Sequence, residues 1–490
     1  MRWLAGILSR KASAAPQRLS IRARYDAAAT TDANRKHWAN ADGLSADAAA
    51  SPEVRRILRN RARYESANNS YASGIVSTLA NDVVGTGPRL QVLTDDAEAN
   101  TAIEQAFNAW ANAINLADRL RTMRMARAHS GECFAKLASN PAIFGPVKLD
   151  LVLVEAERVA SLAYGVMSST EVDGIVYDAA GNPLRYRVLR EHPGDRALRL
   201  ASDTIDASQF IHYFMPARPE QHRGIPDLTP ALPLFAQLRR YTIAVLSAAE
   251  TAANFAGTVE TDAPANGEAD PVEPMDTIEL EANSLLTLPA GWKMSQVKPE
   301  QPATTYSEFK REILNEIARC LNMPFNVAAG NSSGYNYASG RLDHQTYFKA
   351  IRIDQAHMSR TVLDRVLGEW FNEAKLTERL VPTRVRVLDS LPHQWFWDGT
   401  EHVDPAKEAT AQATRLANHT TTLASEFAKQ GKDWEAELRQ RARELAFMDE
   451  LGITALSSVP LNETPRERND QRADQASDED THDELDESDL

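Results

Sequence analysis

Cysteine and long apolar runs are both scarce in this chain, and each scarcity excludes a class of protein. Two cysteines in 490 residues leave no basis for a disulfide scaffold or a cysteine-rich metal cluster, and they fit a reducing compartment. No apolar run approaches the roughly 18 to 20 residues that a bilayer span needs. The apolar patch at residues 3–8 is also too short for the apolar part of a secretory signal. We therefore expect a soluble intracellular protein.

The composition is otherwise that of a folded protein with a substantial core. Hydrophobic residues make up 43% of the chain and charged residues 25%, which excludes global disorder. At 490 residues, the length predicts about three domain-sized units. We see no internal repeat, so a solenoid is not expected.

Charge is distributed unevenly along the chain. The net charge is −14, yet residues 1–24 contain six basic side chains and no acid, and residues 478–490 contain eight acidic side chains and no base. A protein that holds duplex DNA by its phosphates needs a basic face. The acidic body between the two ends therefore argues against sequence-specific DNA binding.

Candidates for catalysis or metal binding are weak. The stretch 129–133 contains histidine, serine and cysteine, but adjacent residues on one helix or strand point apart. The eleven histidines are scattered without a metal-binding spacing. The glycine-rich segment 330–334 is not followed by the lysine of a phosphate-binding loop. The sequence thus predicts no catalytic, cofactor-binding or metal-binding residue, and no enzyme.

The pattern of apolar residues predicts a mainly helical α+β protein. We interpret residues 1–50 as a flexible basic arm, with order beginning at the helix start formed by Ser51 and Pro52. Residues 51–228 combine amphipathic helices with a small antiparallel β unit around the turn Gly181-Asn182-Pro183.

The second half of the chain begins with a long predicted helix. This helix spans residues 229–256, with Thr229 as its N-cap, and a loop-rich insert with short strands near 284–288 follows at 257–302. A second helix is predicted at 303–323, a polar loop at 324–340 and further helices at 341–455, with breaks near residues 419 and 431. Residues 456–490 are acidic and expected to be disordered.

Four groups of segments resemble one known family when they are taken in order. They are RYESANNSY (63–71) with NDVVGTGP (81–88), IHYF (211–214) with RGIP (223–226), the small-residue helix at 241–257, and WFW (395–397) with VDPAKE (403–408) and GKD (431–433). Each group is weak alone, but their order and spacing over about residues 25–455 are specific. The sequence resembles the portal proteins of tailed bacteriophages, in their lambda-like branch.

The resemblance implies an architecture of wing, stem, clip and crown, in a closed ring of about twelve copies. In that architecture residues 51–228 form the wing, 229–256 and 303–323 the two stem helices, 257–302 the clip, and 341–455 the remaining wing and crown helices. The polar loop 324–340 then lines the DNA channel, and its expected contact residues are Asn331, Ser332, Ser333, Gly334, Tyr335, Asn336, Tyr337 and Arg341.

The resemblance also implies partners and a location. The partners are further copies of the chain, the large terminase subunit, the capsid with its scaffold and head protease, the neck or head-completion proteins, and double-stranded DNA bound without sequence specificity. Neither a membrane nor a cofactor is implied. The expected location is the portal vertex of the virion, and the host cytoplasm during assembly.

Two other functions remain open from the sequence. A DNA-packaging enzyme, either a nuclease or a motor subunit, would need a nucleotide-binding loop or a carboxylate cluster for metals, and neither is apparent. A neck adaptor also forms rings, but such adaptors are usually much shorter and lack two long helices with an insert between them.

Overall fold

The computed structural model describes residues 26–161, 170–195, 201–254, 258–261, 292–295, 305–334, 336–377, 380–399 and 405–453. The chain divides into two compact units, residues 1–398 (unit 1) and 399–490 (unit 2). The acidic tail predicted at 456–490, the strands predicted near 284–288 and most of the basic arm lie outside the described residues.

Helices dominate both units. Those of unit 1 are α1 Ala46–Ala49, α2 Pro52–Asn68, α3 Ser70–Val84, α4 Ala97–Ala113, α5 Leu116–Ser130, α6 Leu232–Asn254, α7 Thr305–Arg319, α8 Phe325–Ala329, α9 Tyr337–Met358, α10 Asp364–Ala374 and α11 Thr383–Arg386. A π-helical turn at Ser359–Leu363 joins α9 to α10. Unit 2 contains α12 Pro405–Ala417, α13 Leu423–Lys429 and α14 Trp434–Glu450.

The strands in the described part of the chain form four small antiparallel sheets. They are β1 Arg89–Val92, β2 Glu132–Ser139, β3 Leu149–Val154, β4 Glu171–Val172, β5 Ile175–Tyr177, β6 Pro183–Leu189, β7 Ser202–Asp206, β8 Phe210–Phe214, β9 Thr258–Thr261, β10 Trp292–Ser295 and β11 His393–Phe396. The sheet orders are β1-β11, β9-β10, β3-β2-β8 and β4-β5-β6-β7. The prediction of a mainly helical α+β protein is confirmed.

Local sequence signals explain most helix ends. The Ser51 hydroxyl accepts from the Val54 N–H, and Pro52 lies in the first turn of α2. Asn69 ends α2 and caps α3 through its side-chain oxygen. His419 and Gly431 have positive φ at the two breaks between the helices of unit 2, as predicted.

An aromatic cluster forms the centre of unit 1. The rings of Phe107 and Trp110 on α4 lie 5.3 Å apart, and Phe107 is also 5.3 Å from Trp370 on α10 and 5.6 Å from Trp395 on β11. These rings come from three distant parts of the sequence. Burying them together therefore joins α4 and α10 to the strand that contains the WFW motif.

Three predicted boundaries need correction. The predicted arm 1–50 ends in α1, where the Asp47 carboxylate contacts His222, so order begins before Ser51. Residues 229–231 form a 3-10 turn, and the regular helix starts at Leu232 instead of behind a Thr229 cap. The predicted loop 324–340 contains α8 and the start of α9, which shortens it to 330–336. Pro324 supplies the extended residue from which α8 starts.

Helix α5 is not predicted by the sequence pattern. Its 15 residues include four arginines and have no clean apolar stripe, so the periodicity was hidden. Among the described residues, no helix combines the length and the apolar character that crossing a bilayer requires.

Candidate functional site

The candidate site is the module from α6 to α9, which contains every predicted channel residue. After α6, strands β9 and β10 pair antiparallel, with Thr258 opposite Ser295, and bring the chain back towards α7. Helices α6 and α7 contact each other through aromatic rings. The Tyr241 ring is 4.5 Å from that of Phe309 and 5.6 Å from that of Tyr306. The two helices are therefore packed side by side.

The two ends of α6 differ in burial. Leu232, Phe235 and Leu238 in the first half are buried. No residue from 239 to 250 is buried, and Ile243 and Leu246 are more than half exposed. The second half of α6 therefore presents apolar side chains to the outside of the subunit.

The loop between α8 and α9 is tied to α8 at its start. The Asn331 N–H donates to the Asn326 carbonyl at 3.0 Å, and the Asn331 side-chain oxygen accepts from the Ser333 N–H at 2.9 Å. Gly334 has a φ of +75°, which a glycine adopts without strain. One backbone hydrogen bond, one side-chain turn and one glycine thus define the loop, whose residues 330–334 and 336 are exposed.

The structure brings most of the predicted channel residues together. Those with described side chains in the loop are all exposed, namely Asn331, Ser332, Ser333, Gly334 and Asn336. Arg341 is exposed on the first turn of α9, and the Gly340 N–H donates to the Asn336 carbonyl at 2.8 Å. Tyr337 is the first residue of α9. Tyr335 lies outside the described residues.

Beside the loop lies a polar cleft of about 300 Å³. Its lining residues are Arg311, Glu312, Asn315, Phe325, Gly334, Asn336 and Asp343. The Arg311 guanidinium lies over the Phe325 ring, 5.2 Å from its centre. Sequence reasoning missed the lining from α7, although Arg311 and Asn315 share one face of that helix at a spacing of four. The lining carries both signs of charge and two amide side chains, so the cleft can form ion pairs and hydrogen bonds with a polar group.

Two of the segments that carry the family resemblance meet through Asp398. This residue follows the WFW strand, and its carboxylate accepts from the Thr86 N–H and, at 2.8 Å, from the Thr86 hydroxyl. Gly85 has a φ of +57°, and a side chain there would collide with the Asp398 carboxylate. Gly85, the first glycine of the GTG motif, thus makes room for this contact, which joins positions 312 residues apart.

A second junction of such segments centres on Glu132, the first residue of β2. Its buried carboxylate accepts from Arg59 on α2 at 2.7 Å and from Arg223 of the RGIP motif at 2.8 Å. His212 of the IHYF strand lies 2.9 Å from the same carboxylate. The RGIP and IHYF motifs therefore hold the fold together.

Close backbone packing accompanies this junction. Gly131 has a φ of +87° and ends α5, and Gly224 packs directly against its carbonyl. A Cβ at position 224 would collide with the Gly131 carbonyl oxygen, which is backbone and cannot move aside alone. Glycine is required at 224 because two chain segments touch there.

Burial and charge control the pKa values around the junction. Burial acts to raise the pKa of Glu132, but Arg223, the His212 hydrogen bond and Arg59 outweigh it and hold the pKa well below its usual range. Burial and then Arg63 lower the pKa of His129 to about 4. Burial, followed by Glu132, raises the pKa of Cys133 to about 12. A protonated, buried thiol is a poor nucleophile, so these groups are structural.

One cluster in the described residues has the composition of a metal site. Glu155, Glu157 and His192 have ligand atoms within 4.8 Å of one another. However, His192 Nδ1 lies 3.0 Å from the Gly194 N–H and accepts from it, which puts the neutral ring's proton on Nε2. Nε2 lies 3.0 Å from the Glu155 carboxylate, and Glu157 is paired with Arg63. Glu157 is thus already paired with an arginine, whereas His192 Nε2 is buried and has no hydrogen-bond partner among the described residues.

Comparisons with known proteins point to one family. A model of the family described as phage portal protein, lambda family, matches residues 32–355. The probable portal protein of Halomonas phage phiHAP-1 is 26% identical over an alignment of 427 residues, which covers 81% of this chain and 81% of the relative.

Some solved structures match most of this chain at low identity and with low TM-scores. The neck of an empty gene transfer agent particle, computed with C6 symmetry, matches with 15% identity and a TM-score of 0.44, over 76% of this chain and 92% of the other. An HK97 family phage portal protein from Corynebacterium diphtheriae matches with 12% identity and a TM-score of 0.29, over 71% of this chain and 98% of the other.

Proposed function

The chain belongs to the lambda family of phage portal proteins, and from that premise we propose that its copies form a closed ring at one vertex of a phage capsid. Phage DNA enters the head through this ring during packaging and leaves through it at ejection. The supporting observation is the module of helix, strand pair, helix, loop and helix formed by α6 to α9. Nearly all of it lies inside the residues that match the family.

The proposal assigns a role to each segment of the chain. Helices α6 and α7 form the stem, and residues 257–302, with β9 and β10, form the clip on which the large terminase subunit docks. Residues 51–228 form the wing. Residues 341–455 supply the remaining wing helices and, in unit 2, the crown. The capsid, its scaffold and head protease, and the neck proteins are the other proposed partners, and the virion is the proposed location.

The exposed half of α6 supports a ring. Apolar residues such as Ile243 and Leu246 face outwards in the single subunit, and α6 also exposes small residues that permit close approach of a neighbouring helix. When one face of a subunit binds a different face of the next copy, the same contact repeats from subunit to subunit. Such head-to-tail contacts produce a ring when the last copy binds the first.

Charge and the loop support a channel for DNA. A net charge of −14 per copy limits attraction between the channel wall and the phosphates, so DNA can slide. The loop 330–336 contributes uncharged polar side chains, and Arg341 adds one isolated cation beside it. We assign Asn331 to Tyr337 and Arg341 to the contact with passing DNA.

The alternative functions have less support. A packaging nuclease or motor needs a metal or nucleotide site, and in the described residues the only group of three potential metal ligands includes Glu157, which is already paired with Arg63. A neck adaptor would not require the long α6 and α7 with an insert between them. The family is a structural component of the capsid, so we propose no catalytic activity.

Deleting the proposed clip tests the terminase role. Residues 262–291, between β9 and β10, are replaced by a short Gly/Ser bridge that keeps both strands. We expect the variant to fold and to form rings of normal diameter, because the core of unit 1 lies elsewhere. It should lose binding to the large terminase subunit and package no DNA. Normal packaging by this variant would contradict the clip assignment.

Changing the loop tests the channel role. Ser333-Gly334 is replaced by Pro-Pro, which cannot adopt the φ of +75° at Gly334, so the loop must change shape. Rings should assemble, whereas the yield of filled heads or their retention of DNA should fall. The control is Gly181→Pro, at another exposed glycine of positive φ with open space around it. Normal heads from the loop variant would contradict the role in the channel.

A further inference from the structure

Three apolar side chains are more exposed than any other large apolar residue in the described part of the chain. They are Phe144 at 97%, Leu376 at 84% and Val387 at 78%. Exposed apolar residues scattered singly are normal on a protein surface. Phe144, Leu376 and Val387 are not scattered singly. The loop between β2 and β3, the end of α10 and the segment after α11, which contain them, are linked to one another at the last turn of α10.

Two tethers bring the segments together. The Lys148 N–H, at the end of the loop between β2 and β3, donates to the Glu373 carboxylate on α10. Two residues further along, the Lys375 ammonium lies 3.5 Å from the Leu388 carbonyl, which directly follows Val387. Leu376 comes next after Lys375. We call the group Phe144, Leu376 and Val387 the α10-end surface.

Residues close in sequence to Phe144 and Val387 are buried. Ile143 and Val147 on either side of Phe144 are buried, and so is Val385, two residues before Val387. The Lys148 ammonium also donates to the Ile143 carbonyl at 2.6 Å and closes the loop. An aromatic side chain displayed on a pre-ordered loop loses little entropy on binding, which is typical of an interface anchor.

The charge around the α10-end surface indicates what covers it. Residues 140–148 and 373–389 contain five cations, Lys148, Lys375, Arg379, Arg384 and Arg386, against three carboxylates, Glu373, Glu378 and Asp389, on a chain whose net charge is −14. Two such surfaces facing each other would repel. An acidic face of another copy would be attracted, so the contact must join two different faces. Such head-to-tail contacts are the kind that closes a ring.

We propose that the α10-end surface docks on an acidic face of the neighbouring copy and forms part of the contact between subunits. The proposal rests on the ring of the proposed function and adds a specific apolar anchor outside the module of α6 to α9.

Photo-crosslinking identifies the occupant. The full chain carries the photoreactive residue p-benzoylphenylalanine at position 144 or, as a control, at Leu184, an exposed position on β6. After irradiation of the assembled protein, position 144 should give products at multiples of 54.1 kDa, mapped to an acidic segment of another copy, and position 184 should not. Crosslinks from 144 to 144, or only to a different protein in infected cells, would overturn the proposal.

A triple variant measures how much the surface contributes. Phe144→Ser with Leu376→Ser and Val387→Ser should leave the subunit folded, since all three side chains are exposed, and should raise the concentration for half-assembly about tenfold or more. Leu184→Ser should assemble like the unchanged chain. Unchanged assembly of the triple variant would overturn this contact alone. A monomeric unchanged chain would overturn the ring itself and this contact with it.

Discussion

In unit 1, the highly charged helix α5 is largely buried, whereas the apolar second half of α6 is exposed. α5 contains four arginines, yet Arg124 and Arg127 are buried. Residues 241–250 of α6 contain a single charge, Glu250, yet none of them is buried. Apolar character alone therefore does not predict which helix lies inside the subunit.

The difference follows from the partners of each helix. Arg124 donates to Asp354 and Asp227, both at 3.0 Å, and Arg127 donates to Asp354 at 3.1 Å. Buried arginines are stable only with such carboxylates around them. In α6, Tyr241 packs on the rings of Tyr306 and Phe309 in α7, while Ile243 and Leu246 stay exposed. The buried face of α5 is thus satisfied within one subunit, whereas for α6 we propose that a neighbouring copy covers the exposed face.

The largest effect on folding should come from removing the carboxylate that follows α5. Glu132→Ala leaves Arg59 and Arg223 buried without their shared partner, which we expect to lower the free energy of unfolding by about 3–5 kcal/mol. Urea denaturation followed by circular dichroism measures this. Glu53→Gln, which removes an exposed pair with Arg56, is the control and should leave the unfolding midpoint unchanged. Equal midpoints for the two variants would contradict the central role of Glu132.

The next effect is a pH dependence from His129 at the end of α5. Its folded pKa of about 4 lies below the ordinary 6.5, so the unfolded chain takes up the proton first. Stability from the neutral ring is complete above pH 6.5 and is lost as the pH falls towards 4, by roughly 3 kcal/mol. His129→Gln should flatten the unfolding free energy between pH 6.5 and 4.5. The same slope in the variant would show that His129 is not the responsible group.

A smaller effect is expected at the glycine contact beside α5. Gly224→Ala forces a Cβ against the Gly131 carbonyl and should cost about 1–3 kcal/mol. Gly74→Ala, in the interior of α3 with open space around it, is the matched control and should be neutral or slightly stabilising. Thermal melts of both variants would make the comparison. An equally stable Gly224→Ala would mean that the backbone can separate there.

The smallest effect on folding is expected from α6. Ile243→Ser with Leu246→Ser removes two exposed side chains, so the urea midpoint of the isolated subunit should stay unchanged. Assembly should nevertheless fail, because these side chains are completed by a neighbouring copy. Sedimentation velocity distinguishes the two states. If the double variant unfolds at a lower urea concentration but still assembles, the exposed face of α6 stabilises the single subunit, as the buried face of α5 does, and is not a contact between copies.

The same comparison explains what the sequence could predict. The family resemblance is confirmed by the family match over residues 32–355, and the breaks near His419 and Gly431 follow from local signals and are found in the structure. α5 could not be recognised because its inward face depends on Asp227 and Asp354, more than 100 residues away. The cleft beside the loop was missed because its lining comes from α7, α8 and α9 together.

Native mass measurement of the full chain, combined with electron microscopy of the same sample, tests the portal assignment most directly. We predict a closed ring of about twelve copies with a central opening. A homogeneous monomer or dimer at micromolar concentration, which does not assemble when salt or scaffold is added, would contradict it.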